Sequence, residues 1–492
     1  MENKILNKNT TYYLLLFTVF CIAIILRLKF YLLNRPLWHD ECSLALSIIN
    51  KNIFGYFSVL EHQQSAPPIF MMITKLFTLI FGSTKEYALR LFPLLCGISS
   101  IPAFYFFSKI FINKKWLIII ANFLFAINYH LIYYCQEFKQ YSADVLIVLL
   151  CFIFFSNIDL TKYSQKKLFI LGIISAIIPM LSLPSAFVIT AFIIQQICRK
   201  DNFKNILIFA LTFFTGCSIY YLSVLAPQQT EILSTNYWNF AKGFFTLSIL
   251  NNLHIISDNL SYHLHPNKLL LMDLILCTIG IYCVIKNRQE PHNKLLIFLM
   301  IIVTACSILK IYPFFERIAL YFIPITLILI TYPLNYIRKN KKIYPVLIIL
   351  LTIFGLSGYN FSYVKTLCSK DKLQNTIKLN NAREITKILL VKYNNTDYII
   401  INSASNSEFA YYKNYYNSDI KNFVIVQIPE YSKQNYFDIL NQLPLNTNYW
   451  FYYPYDYSKY PVIQFLREWK TKYKTLFEQE LNGSYLLYLR IE

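Results

Sequence analysis

At 492 residues the chain could hold about three soluble domains, yet 56% of it is hydrophobic and only 15% is charged, against roughly 25% in soluble globular chains. That balance excludes a disordered chain and an ordinary cytosolic enzyme. The net charge of +20 lies between long apolar runs rather than on a basic face, which argues against a nucleic-acid partner.

The ten glycines form neither GxGxxG nor GxxxxGK[ST], so the phosphate-cradling loops of dinucleotide and P-loop sites are missing. The eleven cysteines are scattered, with no CxxC spacing, and read as neither a disulfide framework nor a zinc site.

A membrane-spanning helix needs about 20 apolar residues, because a core of about 30 Å is crossed at about 1.5 Å per residue. Eleven segments qualify, at about 12–33, 88–111, 116–134, 143–158, 168–187, 188–198, 205–225, 269–285, 295–313, 318–337 and 343–359. The sixth is short and leaves room for an earlier start. The first apolar run is too long for a signal-peptide core and no small-x-small cleavage site follows, so it is expected to remain as a span. The stretch from Pro67 to Gly82 is apolar for only about 15 residues, opens on two prolines and contains Lys75. It reads as an interfacial or re-entrant helix on the outer face.

Lysine and arginine cluster at Lys4 and Lys8, Lys114–Lys115, Lys162–Lys167, Arg199–Lys204, Lys286–Lys294 and Arg338–Lys342, in every second connection. Cytoplasmic loops carry such an excess. The N-terminus is therefore expected inside, with residues 34–87, 135–142, 226–268, 314–317 and the tail 360–492 outside.

The tail is more charged. Asp397–Asn402, Asn422–Val426, Asn448–Tyr453 and Tyr485–Leu489 read as buried strands, and Ser407–Tyr416, Tyr436–Gln442 and Val462–Glu480 as helices. Alternation of this kind predicts a small parallel α/β domain. The expected fold is thus an all-α polytopic membrane bundle over residues 1–360, with outer-face interfacial helices, and a C-terminal extracytoplasmic α/β domain over residues 361–492.

Ionisable groups at a membrane boundary are costly unless paired or functional, and those of this chain gather on the predicted outer side. Asp40 and Glu41 follow the first span within Arg35-Pro-Leu-Trp-His39-Asp40-Glu41. Adjacent carboxylates suit general-base work or cation binding. Glu86 and Arg90 stand at i, i+4, the spacing of an ion pair on one helix face. Gln136, Glu137, Lys139, Gln140, Tyr141 and Asp144 form the second outer connection; if it is helical, Glu137, Gln140 and Asp144 share a face. Glu316 and Arg317 open the tenth span. His39 and His62 lack a third ligand at zinc spacing.

An acidic pair after the first span, a Pro-Pro-apolar segment ending in Gly82, Arg90-Leu-Phe-Pro93, Gln136-Glu-x-Lys-x-Tyr141 and Arg317-x-x-x-Tyr321-x-x-Pro324 occur in this order. Together they resemble the glycosyltransferase C superfamily. The likeness is to bacterial family 39-like membrane enzymes related to protein O-mannosyltransferases and the lipid A aminoarabinose transferase. The pattern covers about residues 10–360. Ala66 stands where many members have His before Pro-Pro, and Lys139 where many have Arg, which keeps the charge but not bidentate phosphate geometry.

The resemblance implies a polytopic transferase in a bacterial plasma membrane that uses a polyprenyl-phosphate-linked sugar, with a glycan, lipid or protein as acceptor. It makes Asp40 and Glu41 the catalytic pair and Arg90, Glu137, Lys139, Gln140, Tyr141 and Arg317 the substrate-binding set. No cofactor is expected: Glu41 and Glu137 could contribute to a divalent metal site, but no full ligand set accompanies them. A polysaccharide polymerase or ligase and a lipid-linked glycan transporter or flippase are the alternatives.

Overall fold

The computed structural model describes residues 2–82, 85–199, 202–228, 243–264, 270–336, 381–426, 444, 446–454, 470–481 and 484–491. The predicted eleventh span, the domain boundary near residue 360 and the predicted helix 436–442 lie outside them.

The chain opens with the long apolar helix α1 (Glu2–Leu32). It continues through α2 (His39–Asn50), α3 (Pro68–Phe81), α4 (Glu86–Phe111), α5 (Lys115–Ala126), α6 (Tyr129–Tyr134) and α7 (Tyr141–Ser156). Next come α8 (Gln165–Ile177), α9 (Ser185–Arg199), α10 (Phe203–Tyr220), α11 (Ile249–Leu264), α12 (Leu270–Lys286), α13 (Pro291–Ile308) and α14 (Ile323–Thr331). Among the described residues, five helical stretches are long and apolar enough to cross a membrane: Asn9–Leu32, Glu86–Phe111, Phe203–Gln228, Pro291–Ile308 and Glu316–Asn335. Each coincides with a segment predicted from the sequence.

Two predicted segments are divided differently. The helix expected over 116–134 breaks after Ala126, because the Asn128 side chain caps a new helix by accepting from the Leu131 amide at 3.1 Å. The boundary expected at 187/188 falls earlier, between Pro179 and Pro184; proline lacks the amide that would continue the helix. α3 is a helix of 14 residues, about 21 Å long and too short for a full crossing. It buries Phe70 and Met71 and leaves Leu79, Ile80 and Phe81 exposed.

Large apolar side chains are also exposed along α1 (Leu14, Phe17), α8 (Ile170, Ile174) and α10 (Leu211, Ile219). Water would oppose so much exposed apolar surface, whereas lipid tails solvate it.

The bundle has two chemically distinct ends. At one end, Lys115 meets Asn9 and Lys114 donates to the Leu334 carbonyl. The His292 ring packs on Phe111 there, and Gln195 donates to the Pro291 carbonyl. Among the described residues, Lys114 and Lys115, the start of α13 and the end of α9 thus meet at this end. The opposite end gathers the start of α2, the start of α4, the turn 135–140 and Arg317.

The C-terminal residues form a five-stranded sheet of order β2-β1-β3-β5-β4, where β1 is Tyr398–Asn402, β2 Phe423–Val426, β3 Thr447–Tyr453, β4 Lys474–Leu481 and β5 Ser484–Ile491. β2, β1 and β3 are parallel, as predicted, whereas β5 pairs antiparallel with both β3 and β4. Residues 474–480, predicted as helix, are instead the edge strand β4. Helix-favouring Lys, Glu and Gln are overridden there by pairing with the buried β5. Two helices, α15 (Ala382–Lys392) and α16 (Asn406–Tyr415), pack on the sheet. Ile385, Leu389 and Phe409 join Ile399, Ile401, Trp450 and Leu486 in one core.

Candidate active site

The site begins where α1 ends. After Leu32 the chain runs extended through Arg35 and Pro36 and turns into α2 at His39, which places Asp40 and Glu41 in the first helical turn. Negative charge there is favoured by the helix dipole. Glu41 also accepts from the Trp38 amide at 3.3 Å, satisfying one of the free donors at the helix start.

The two neighbouring carboxylates have opposite surroundings. Glu41 is fully buried. Arg90 clamps it with Nε at 2.8 Å from Oε1 and Nη2 at 2.6 Å from Oε2, and the Phe138 amide donates to Oε1 at 2.6 Å. Burial pushes Glu41 up, but the Arg90 and Arg35 charges outweigh it and hold the carboxyl below the usual range. Asp40 keeps 21% of its side chain exposed, with Lys139 Nζ at 3.6 Å and Arg317 Nη2 at 3.4 Å from Oδ2. Burial raises Asp40 too, and Lys139 and Arg317 outweigh it, so Asp40 is ionised at neutral pH.

The cations come from separate elements. Lys139 lies in the turn between α6 and α7 and donates to Gln64 Oε1 at 2.8 Å; burial pulls its ammonium down. Arg317 is the second residue of the short 3₁₀ turn Glu316–Phe322 ahead of α14, with its guanidinium 5.0 Å from the centre of the Trp38 ring. A glycine at 97 allows the turn to approach α4: a Cβ there would lie 2.4 Å from Cys135 Cβ.

Glu137 is also buried, and Arg35 Nη2 stands 3.5 Å from it. Burial, joined by the Glu41 charge, pushes its carboxyl up to about 7. Arg35 itself donates to the Tyr133 hydroxyl at 2.7 Å and lies over that ring.

The structure brings Asp40, Glu41, Arg90, Glu137, Lys139 and Arg317 to one end of the bundle, with Gln140 and Tyr141 at the start of α7 beside them. It also corrects two expectations. Residues 135–140 are a turn rather than helix, so Glu137 does not continue the face of α7. Glu86 and Arg90 hydrogen-bond elsewhere: Glu86 pairs with Arg383 and accepts from the Tyr412 hydroxyl at 2.7 Å, both from the C-terminal part. Of the carboxylates named for a divalent ion, Glu41 is engaged by Arg90 and Glu137 by Arg35.

Sequence reasoning assigned no role to Arg35, Trp38 or the C-terminal contacts. Arg35 and Trp38 stand in the same short run as Asp40, which was the available signal. The Glu86–Arg383 pair joins positions 297 apart in the chain and left no local trace.

No protein-family model matches the sequence, and no curated protein is significantly similar to it. Solved structures are similar. ArnT from Cupriavidus metallidurans bound to undecaprenyl phosphate superposes with a TM-score of 0.56 at 10% identity, covering 97% of this chain and 98% of that one. Its apo state gives 0.59 at 9% identity, with 98% of each chain covered. The archaeal oligosaccharyltransferase AglB from Archaeoglobus fulgidus, in complex with an inhibitory peptide and a dolichol-phosphate, gives 0.50 at 11% identity over 96% of this chain and 74% of that one. At such identities the likeness speaks to architecture alone: the chain shares the fold of these ArnT and AglB structures.

Proposed function

We propose that the chain is an integral-membrane inverting glycosyltransferase, moving a sugar from a polyprenyl-phosphate donor to an acceptor at the outer face of a bacterial plasma membrane. The observation that carries this reading is Asp40: an ionised, partly exposed carboxylate flanked by Lys139 and Arg317, at the end of the bundle opposite Lys114 and Lys115. The fold shared with ArnT bound to undecaprenyl phosphate supports a lipid-linked donor. Eleven spans with the N-terminus inside and the C-terminal domain outside complete the reading.

In this mechanism Asp40 takes the proton of an acceptor hydroxyl as its oxygen attacks the anomeric carbon, from the side opposite the phosphate. The new C–O bond inverts the configuration, the C–O bond to phosphate breaks, and the polyprenyl phosphate leaves with the electron pair. Arg317 and Lys139 meet the charge that develops on it, so the step requires no metal. Arg90 acts through Glu41 as a positioning residue rather than at the phosphate, since both its arms are already engaged. Glu137, Gln140 and Tyr141 border the site where sugar or acceptor hydroxyls lie. The acceptor is a glycan, lipid or protein.

General-base catalysis contributes about 10²–10⁴-fold. Asp40→Asn is therefore expected to lower transfer from polyprenyl-phosphate sugars by about that factor in purified protein. Retention of activity within a few-fold of wild type would remove Asp40 as the base.

A further inference from the structure

The connection between α2 and α3 contains strained backbone. His62 and Gln63 are adjacent, neither is glycine, and both are left-handed, with φ of 50° and 54°. A Cβ makes that conformation costly. Such residues persist where their surroundings over-determine them, and they cluster at functional sites.

Here both flanks are tied down. The Glu61 amide donates to Ser47 Oγ at 3.0 Å, and the Glu61 carboxylate accepts from Asn50 Nδ2 at 3.0 and 3.1 Å. On the other side Ser65 Oγ donates to Gln228 Oε1 at 3.1 Å. Gln228 Nε2 in turn donates to the Ser58 and Tyr56 carbonyls at 3.0 and 3.4 Å.

Between these anchors the strained pair presents Gln64, whose Oε1 accepts from Lys139 Nζ at 2.8 Å. A lysine ammonium only donates, so the amide oxygen must be the atom that faces it. Among the described residues, Gln64 is the hydrogen-bond partner of that ammonium. Asp40 Oδ2 stands 3.6 Å from it, beyond hydrogen-bond length. Electrostatics alone favours the reverse, since a carboxylate draws an ammonium more strongly than a neutral amide does. The position of the ammonium is therefore imposed by the chain. It lies at the opening of the site: the side chains of Asp40 and Arg317 are 21% and 28% exposed.

We propose that Gln64 is a positioning residue for the transfer step: it holds the Lys139 ammonium off Asp40, leaving the carboxylate free to take a proton and the cation free to turn to the leaving phosphate. The inference rests on the transferase reading above. An ammonium bonded to a neutral amide is released to a phosphate at less cost than one closed onto a carboxylate. Ordinary φ at 62 and 63 would send the chain in another direction and take Gln64 off Lys139, which gives the strained pair its purpose.

The test is binding of undecaprenyl phosphate to the purified full-length protein in lipid nanodiscs, read as a double-mutant cycle. Gln64→Met keeps the length of the side chain and removes its polar atoms, so the ammonium closes onto Asp40. It is expected to weaken binding about tenfold. In an Asp40→Asn background no carboxylate remains to close onto, and the same substitution is expected to cost no more than about twofold. On Lys139→Met it is likewise expected to cost no more than about twofold. A turn that matters only for folding would weaken binding alike in all three backgrounds. Equal weakening in the three, or a loss below about twofold in the otherwise wild-type protein, overturns the positioning role. Failure of wild-type protein to bind undecaprenyl phosphate at all overturns the transferase reading, and the role with it. If Gln64→Met does not fold, Gln64→Leu decides by the same comparison.

Discussion

Asp40 and Glu41 share a helical turn, and their partners divide the labour between them. Glu41 meets Arg90 with both oxygens inside the protein, while Arg90 also donates to the carbonyls of Arg35 and Pro36. The pair therefore fixes the loop that aims Asp40. Removing one member of a buried pair leaves an unpaired charge and costs about 3–5 kcal/mol, whereas an apolar replacement of both is often tolerated. Arg90→Leu and Glu41→Leu are each expected to lower unfolding stability by about that amount, and the double substitution by less than either; chemical denaturation of the three variants checks this. The candidate residues were legible in the sequence because charge is rare in so apolar a chain. Their division of roles was not, since the partners of Glu41 come from positions 49 and 97 residues away.

At the scale of elements, the C-terminal part grips α2 from behind. α16 packs along α2. The Tyr412 hydroxyl accepts from the Leu37 amide at 2.7 Å, and Arg383 donates to the Asn34 carbonyl at 2.7 Å. His39 Nδ1 is shared between Ser407 Oγ at 2.8 Å and Glu408 Oε2 at 3.3 Å. Burial lowers the imidazole, but Glu408, helped by Asp40 and opposed by Lys139, raises it above its ordinary value.

For a raised imidazole, the stabilisation is complete below the ordinary pKa of about 6.5 and is lost as pH rises through the folded value. Hydrogen exchange in α2 is therefore expected to quicken as pH rises from about 6 to about 8, after correction for intrinsic rates. Glu408→Gln should remove that pH dependence; its persistence would separate the clasp from His39. Four of the five strands were readable as short apolar runs. β4 was not, because its composition favours helix, although Asn482-Gly483 in the sequence is a hairpin signal. α15, which buries Ala382, Ile385, Thr386 and Leu389, went unpredicted.

At the scale of the molecule, the described carboxylates of the candidate site gather at one end of the bundle, each with its cation. Among the described residues, Lys114 and Lys115, the start of α13 and the end of α9 lie at one end, while the candidate site lies at the other. Positive charge favours the cytoplasmic side, which gives the orientation a direct check. In a cysteine-free background, Lys162→Cys is expected to react with an impermeant thiol reagent only after the membrane is opened, and Phe54→Cys in intact cells. Both positions are exposed, so burial would not mask either result. The reverse pattern would put Asp40 on the cytoplasmic side. The packing of α2 against α16 was not legible in the sequence, because it depends on contacts that no local pattern encodes.

The Leu37 amide bond to Tyr412 spans 375 residues of sequence, and this imposes an order in time. At about 5–20 residues per second, the ribosome finishes Tyr412 roughly 20–75 s after Leu37. In the proposed orientation the later residue must also cross the bilayer before the two can meet. A nascent chain inserted up to α14 carries Asp40, Lys139 and Arg317 but lacks the hydroxyl that completes the loop ahead of Asp40. Completion of the loop therefore waits for synthesis of the last segment and, in the proposed orientation, for its export.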